Sequence, residues 1–558
     1  MSAERLYQPF ECTICHGRFT RHENLKRHAL LHTRAQNEGP LACEICPATF
    51  SRSDLRNRHM KRKHPEEARR KRCRSTQEES PGVSEQHEMD ADAWTVPEWN
   101  EPQVTEIEPV QSLEDSLSPL QVRTGCDLFF THVAHFLPFI HQPTFDADQA
   151  PPYLLLSMLS LAFQYGDQNL SKHCFDRART LLDSTPNQDT LSIVQSYLLL
   201  QVCGMLYLCG SSSSHALRMH STTISLARQG SLMQPIPVSP SSTQDLSTLW
   251  RSFITSESHK RTLFALHQID ALWYQFLSIP RSISHLEIKH DLPCPTEYWT
   301  AVSPADWAHR QLITKSTPNV KYADAVRKFL SQDPGELSSL PEFDPYGAIN
   351  ITQFLISSAR EISGWSTMTG MLSIERFGAL RESLATIGPF ICLSQDDASN
   401  TATATATATK TSQALCTATW QTAMIELQIW SPSHTSGIVE GSIDAVLSAS
   451  THPFLAPCPE ILCEEMTAKA LQPHVDWFLR YLDETINPEG EAPWIALYAY
   501  KAFLIAWQLV RAGVPAMAVV GIDGDIHSAV RWARIVFRRR ERWVLGRLIC
   551  ACLDTLLA

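Results

Sequence analysis

A secretory leader, an apolar run long enough to cross a bilayer and the common catalytic signatures are all missing from this 558-residue chain. The opening stretch MSAERLYQPFECTIC holds no apolar segment before its first cysteine pair, so most of the 16 cysteines are expected to be reduced thiols of a cytosolic or nuclear protein. The longest apolar runs, YLLLSMLSLAF (153–163) and YLLLQVCGMLYLC (197–209), fall short of the roughly 20 residues that a membrane-spanning helix needs. They read as buried helices, and no membrane partner is implied. No Gly-x-Ser-x-Gly, Walker-type or His-Glu-x-x-His motif occurs, and GIDGD (521–525) is a lone glycine-rich turn with no strand before it. An enzyme is therefore not expected. Strand-type alternation is scarce as well, which leaves a mostly α chain, too long for a single compact core.

Charge of one sign is missing locally. Residues 77–118 hold twelve Asp/Glu, no Lys or Arg, and prolines at 81, 97, 102 and 109. Such a segment buries too little to offset the entropy of ordering and is expected to be a disordered acidic linker. It carries Trp94 and Trp99, and acidic stretches that expose aromatics resemble activation segments, an inert spacer being the other reading. Residues 1–76 are the opposite, with 17 Lys/Arg against 8 Asp/Glu. Their net charge is +9 in a chain of net −11, so the remainder carries −20. A basic head on an acidic body points to a polyanion partner for the head alone.

Within that head the spacing Cys12-x2-Cys15-x12-His28-x3-His32 recurs as Cys43-x2-Cys46-x12-His59-x4-His64. Two thiols and two imidazoles at this spacing form a tetrahedral zinc site, and a unit of ~30 residues needs that metal because its own core is too small to fold it. Two ββα zinc fingers are expected, at 8–34 and 41–66, with two zinc ions. Phe10, Phe19 and Leu25 supply the small core of the first; Leu41, Phe50 and one helix residue supply that of the second. In the second finger Arg56 stands three residues before His59, where the first finger has Leu25 before His28. Residues three and four before a helical histidine share its face, so Leu55 fills the core after a modest rotation and the Arg56 stem packs at its edge.

The base-reading positions follow from their distance to the first histidine: Arg21, Asn24 and Arg27 in the first finger, Arg52, Leu55 and Arg58 in the second. Arginine pairs bidentately with guanine and asparagine with adenine, whereas leucine makes no hydrogen bond to a base edge. Double-stranded DNA of the form 5′-GNGGAG-3′ is the expected ligand, with Glu23 and Asp54 placed to buttress the leading arginines. A tail at 67–76 follows, whose Arg69, Arg70, Lys71, Arg72 and Arg74 suit phosphate contacts and a nuclear import receptor; a solvated tail is the plainer reading. Two fingers cover only about 6 bp, a site too short to specify a gene set, so homodimerisation through the rest of the chain would help.

From about 119 to 558 the pattern is helical, divided by turn signals such as PNQD and CGSSSS; WIALYAYKAFLIAWQLV (494–510) is apolar on all sides and reads as a fully buried helix. TATATATAT (401–409) reads as a mobile low-complexity loop. His132, His135 and His141 lack a metal-site spacing and read as ordinary helix or loop histidines, and Cys458 and Cys463 as buried thiols.

FTRHENLKRH and FSRSDLRNRH resemble the fingers of fungal Cys2His2 transcription factors. LFFTHVAHFLPFIHQPTFDADQAPPYLLLSMLSLAFQYGD (128–167) is similar to the opening of the fungal-specific transcription factor domain, also called the middle homology region. HCFDRARTLL, WRSFITSESHKRTLFALHQIDALW and LPCPTEYWTA carry that likeness to about residue 310, and SAVRWARIVFRRRERWVLGRL is like the tails of such factors, leaving 311–490 poorly matched. The resemblance implies an all-helical regulatory domain over 119–558, a nuclear regulator of RNA polymerase II transcription with co-regulators as partners, and no catalytic residues. In such families the controlled genes are often metabolic and sometimes form secondary-metabolite clusters. The alternative reading is a zinc-finger adaptor that binds RNA or protein and uses the helical body as a scaffold.

Overall fold

The computed structural model describes two short hairpins in the N-terminal region, Cys43 and Cys46, and most of residues 117–557. The chain divides into two units, Met1–Val110 and Gln111–Ala558. In the first, β1 (Phe10–Glu11) pairs antiparallel with β2 (Arg18–Phe19), and β3 (Leu41–Ala42) with β4 (Thr49–Phe50). The register sets Phe10 opposite Phe19 and Leu41 opposite Phe50, the positions assigned to the finger cores.

The second unit is helical: α1 (Pro119–His132), α2 (Pro152–Ala162), α3 (Gln168–Ser184), α4 (Thr190–Val202), α5 (Ser211–Gln229), α6 (Leu246–Leu277), α7 (Tyr322–Leu330), α8 (Pro345–Ile362), α9 (Ile374–Ile391), α10 (Ala404–Ile429), α11 (Glu465–Glu484), α12 (Pro493–Arg511), α13 (Ile526–Arg538) and α14 (Val544–Leu557), with a further ten-residue helix at Pro304–Ile313 and shorter turns between them. Local chemistry sets many of the starts. Ser118 and Gln121 form a reciprocal capping box at α1, with Pro119 at the first helical position. Asp189, Asp245 and Asp525 accept backbone N–H bonds at the heads of α4, α6 and α13. GIDGD is thus a turn that delivers a helix cap.

One contiguous core joins these helices, through the pairs α2–α3, α4–α5, α6–α8, α8–α10, α10–α11 and α13–α14. Of the two apolar runs read as buried helices, 153–163 lies in α2 and the turn that follows it, and 197–209 begins in α4 and continues beyond its end. Thr190–Leu208, which includes a π-turn at Cys203–Leu208, is long and apolar enough to span a bilayer, yet 83% of its most apolar window is buried in the fold. α12 is buried on nearly every side, and its one charged interior position, Lys501, pairs with Glu426 of α10.

Three sequence expectations need correction. TATATATAT is not a loop throughout, because α10 begins at Ala404. Alanine is the strongest helix former, and propagating a helix outward from the packed segment around Leu415, Ala418 and Ala423 costs far less than nucleating one. The turn in CGSSSS is confined to Cys209 and Gly210, and the four serines form the first turn of α5. The acidic linker expected over 77–118 stops short of its last two residues, because Leu117 packs against the cluster of Leu159, Phe163 and Cys174, and Ser118 caps α1. The rest of that segment, 77–116, lies outside the described residues.

Candidate zinc and nucleic-acid interface

Each N-terminal hairpin separates its two strands by six residues, and the cysteine pair falls in that connection: Cys12 and Cys15 between β1 and β2, Cys43 and Cys46 between β3 and β4. Cys43 follows β3 directly and is 7% exposed, while Cys46 is half-buried. A shielded thiol and a second one three residues on, held in a tight hairpin connection, are the sulfur half of a tetrahedral zinc site. His59 and His64 are the nitrogen half by spacing, and the same division holds for Cys12 and Cys15 with His28 and His32. The donor chemistry therefore fits Zn²⁺, which supplies the folding free energy of such a unit when bound.

Cys12, Cys15 and the four histidines lie outside the described residues, as do Arg21, Asn24, Arg27, Arg52, Leu55, Arg58 and the basic run 69–74. Cys458 and Cys463 do too.

In the helical body no cluster of three metal-binding side chains occurs among the described residues. The three histidines singled out in the sequence serve packing. His132 stacks on Tyr165 at 4.5 Å, with Nδ1 3.1 Å from the Glu489 carbonyl, and His141 Nδ1 lies 2.8 Å from Thr144 Oγ1. Burial pushes both His135 and His141 down to about 4, so each is a neutral ring at pH 7. The described cysteines form no disulfide, and burial drives the thiols of Cys126 and Cys203 up to about 11 and about 12, which makes them poor nucleophiles.

Sequence reading missed the buried charges. Arg540 and Glu491 form a two-pronged pair, Nε to Oε1 at 2.9 Å and Nη2 to Oε2 at 2.5 Å. Glu257 accepts from Arg261 Nε at 3.0 Å and from the Cys294 amide at 2.9 Å, and Lys260 lies 2.8 Å from it. His220 joins Asp270 at 3.0 Å, and Asp270 also accepts from the Ser282 and Ile283 amides. The one available signal was a charge inside an apolar run, as with Arg261 in HKRTLFALHQIDALW. All three clusters are internally satisfied, as structural ion pairs are; Glu491 and Arg540 also line a small cavity together with Tyr207, Pro493, Trp543 and Gly546.

Residues 126–387 match the family model of the fungal specific transcription factor domain, and residues 10–32 and 41–64 match the C2H2-type zinc finger. The chain carries a fungal specific transcription factor domain behind two C2H2 zinc fingers. The family match runs to 387, further than the 310 read from the sequence. Two such fingers imply two zinc ions, and the two kinds of domain together support a transcription regulator; neither describes an enzyme.

Among curated proteins, a nicotinate catabolism cluster-specific transcription factor of Emericella nidulans is 28% identical over 258 residues, 44% of this chain and 29% of that protein. Zinc finger protein C11D3.17 of Schizosaccharomyces pombe is 24% identical over 333 residues, 55% of this chain and 52% of its own length. Zinc finger protein zas1 of the same yeast is 42% identical over 65 residues, 11% of this chain and 7% of that protein. The chain thus spans from under a tenth to about half of the length of these relatives. No solved structure matches.

Proposed function

We propose that this protein is a nuclear, sequence-specific DNA-binding regulator of RNA polymerase II transcription, its two fingers reading a short G-rich duplex site of the form 5′-GNGGAG-3′. The observation that carries the reading is the tandem C2H2 match with arginine at four of the six base-reading positions, Arg21, Arg27, Arg52 and Arg58. Guanine contacts from these residues set the site, Asn24 adds an adenine, and Leu55 leaves the middle base of the other triplet unread. Metabolic genes are the proposed targets, a reading supported by likeness to a regulator of nicotinate catabolism. The basic run 69–74 serves phosphate contact and nuclear import, Trp94 and Trp99 present an activating segment to co-regulators, and homodimerisation lengthens the effective site.

Randomised-site selection with the zinc-loaded full chain tests the reading. A GNGGAG core is expected, and an A/T-rich consensus, or better competition by RNA than by duplex DNA, overturns it. Arg21→Ala and Arg58→Ala should each cost about 1–3 kcal/mol of discrimination at one guanine, measured by competition between matched and single-base-changed duplexes.

A further inference from the structure

Behind α13 the chain turns through residues 539–543 into α14, and the side chains of this turn are tied to distant parts of the helical body. Arg539 Nη1 donates to the carbonyls of Leu482, Asp483 and Thr485 at the end of α11, at 2.8, 2.9 and 3.1 Å. Arg540, 1% exposed, grips Glu491. Arg542 donates to the Gly166 carbonyl at 3.4 Å and to Glu489 at 3.0 Å. Trp543 Nε1 donates to the Gln164 carbonyl at 3.3 Å, and its ring meets Tyr165 and Tyr207 edge-on, with centroids 5.6 and 6.0 Å away. The turn closes only because residue 546 is glycine, since a Cβ there would stand 2.0 Å from the Arg540 carbonyl oxygen.

The surface that Trp543 covers is conformationally unusual. Tyr207, whose hydroxyl lies 2.8 Å from that of Tyr165, belongs to the π-turn Cys203–Leu208, where the helix begun by α4 widens. The chain then reverses through Cys209, with φ 55° and ψ −162°, and Gly210, with φ 56°. That conformation is essentially reserved for glycine, yet Cys209 adopts it while 4% exposed. Wide turns and residues in forbidden backbone regions persist where their surroundings hold them. Here the surroundings are the edge-to-face cluster of Tyr165, Tyr207 and Trp543 on one side and Asp444 on the other, which accepts from the Gly210 amide at 3.1 Å.

We propose that residues 539–543 are a latch that holds a strained π-turn in its wound form, making the C-terminal turn and the α4–α5 junction the two halves of a conformational switch. With Trp543 seated, Tyr207 is fixed and Cys209 stays at positive φ. With Trp543 unseated, the strain at Cys209 is released and the Cys203–Leu208 turn rewinds. The turn lies inside the matched family domain, 126–387, and the latch lies outside it. The state of the turn at 539–543 is thereby transmitted into the matched domain.

Amide hydrogen exchange on the full zinc-loaded chain, followed by peptide mass, tests this. Trp543→Leu should speed exchange over 203–210 by about tenfold, the scale expected when strain of this kind is released, while peptides of α12 keep their protection. Adding Cys209→Gly should return 203–210 toward the original rate, because glycine takes that backbone without strain. Should Trp543→Leu fail to fold, the partly exposed Arg542→Ala makes the same test with a smaller rise, about threefold, again reversed by Cys209→Gly. Unchanged exchange over 203–210, an equal rise in α12, or no reversal by Cys209→Gly overturns the proposal.

Discussion

The fingers and the helical body fix local geometry by opposite means. Each finger is a hairpin of two-residue strands with a thiol pair in its connection, and so short a unit has no interior in which to bury charge or shelter a polar network. Its shape is set by a metal that gathers four donors. The body buries helices such as α12 on nearly all sides and uses that interior to hold Arg540, Glu491, Glu257 and Arg261 away from water. In the first unit a few residues at fixed spacing decide the structure. In the second, the buried charges are met both by near neighbours, as Glu257 is by Lys260 and Arg261, and by residues far along the chain, as Arg540 is by Glu491.

Metal removal should separate the two units most sharply. A structural zinc contributes about 10–16 kcal/mol to a finger, so a strong chelator is expected to abolish DNA binding completely. The thermal transition of the body, followed by far-ultraviolet circular dichroism, should not move. A body transition that shifted with chelation would show that the contrast is wrong.

The converse perturbation is Glu491→Ala. It strands the Arg540 guanidinium, 1% exposed, with no carboxylate, and removing one member of a buried pair costs about 3–5 kcal/mol. Denaturant titration should show that loss, while the preferred DNA sequence of the fingers stays the same. Replacing both partners with apolar residues, Glu491→Leu with Arg540→Met, should recover most of it, since a filled apolar site needs no counter-charge.

Acid provides a graded version of the same test. Burial holds the His135, His141, His259 and His267 rings at about 4, against 6.5 for an exposed ring. Their folded values are depressed, so the stability they protect is complete above pH 6.5 and is lost as the pH falls from 6.5 toward 4, where the unfolded chain takes up protons first. For His135 the full shift corresponds to about 3 kcal/mol below that window. Stability measured across pH 4–7 should therefore slope downward toward acid, and His135→Gln should flatten the slope; a flat profile in the unsubstituted protein would rule this account out.

How much of this could be read from the sequence follows from the same contrast. The two fingers were legible because such a unit is marked by the spacing of its cysteines and histidines alone, and the family resemblance was legible in runs such as HQPTF and WRSFITSESHKRTLF. The buried run at 494–510 was legible from its apolar faces. The Glu491–Arg540 pair was not, because its members stand 49 residues apart and nothing around either announces the other. Nor was the start of α10 inside TATATATAT, where threonine alternation masks a helix sustained by packing further along. CGSSSS marked the reversal at Cys209 but not its conformation, because a non-glycine residue at positive φ contradicts the local preferences from which turns are read.

The smallest expected effect lies where the acidic segment meets the body. Ser118 Oγ accepts from the Gln121 amide at 3.3 Å, and Gln121 Oε1 accepts from the Ser118 amide at 2.8 Å. Both groups are exposed, so water replaces part of what Ser118→Ala removes, and the loss should be about 1 kcal/mol. The body's unfolding midpoint should fall slightly, with the slope of ΔG against denaturant unchanged. Leu117 gives the comparison, because it packs on Leu159 and Phe163 just before the cap. If Ser118→Ala lowers stability but Leu117→Ala does not, α1 is held by its cap alone. A loss from Leu117→Ala that matches or exceeds the cap's places the edge of the packed body before residue 118, inside the stretch that composition assigns to the linker.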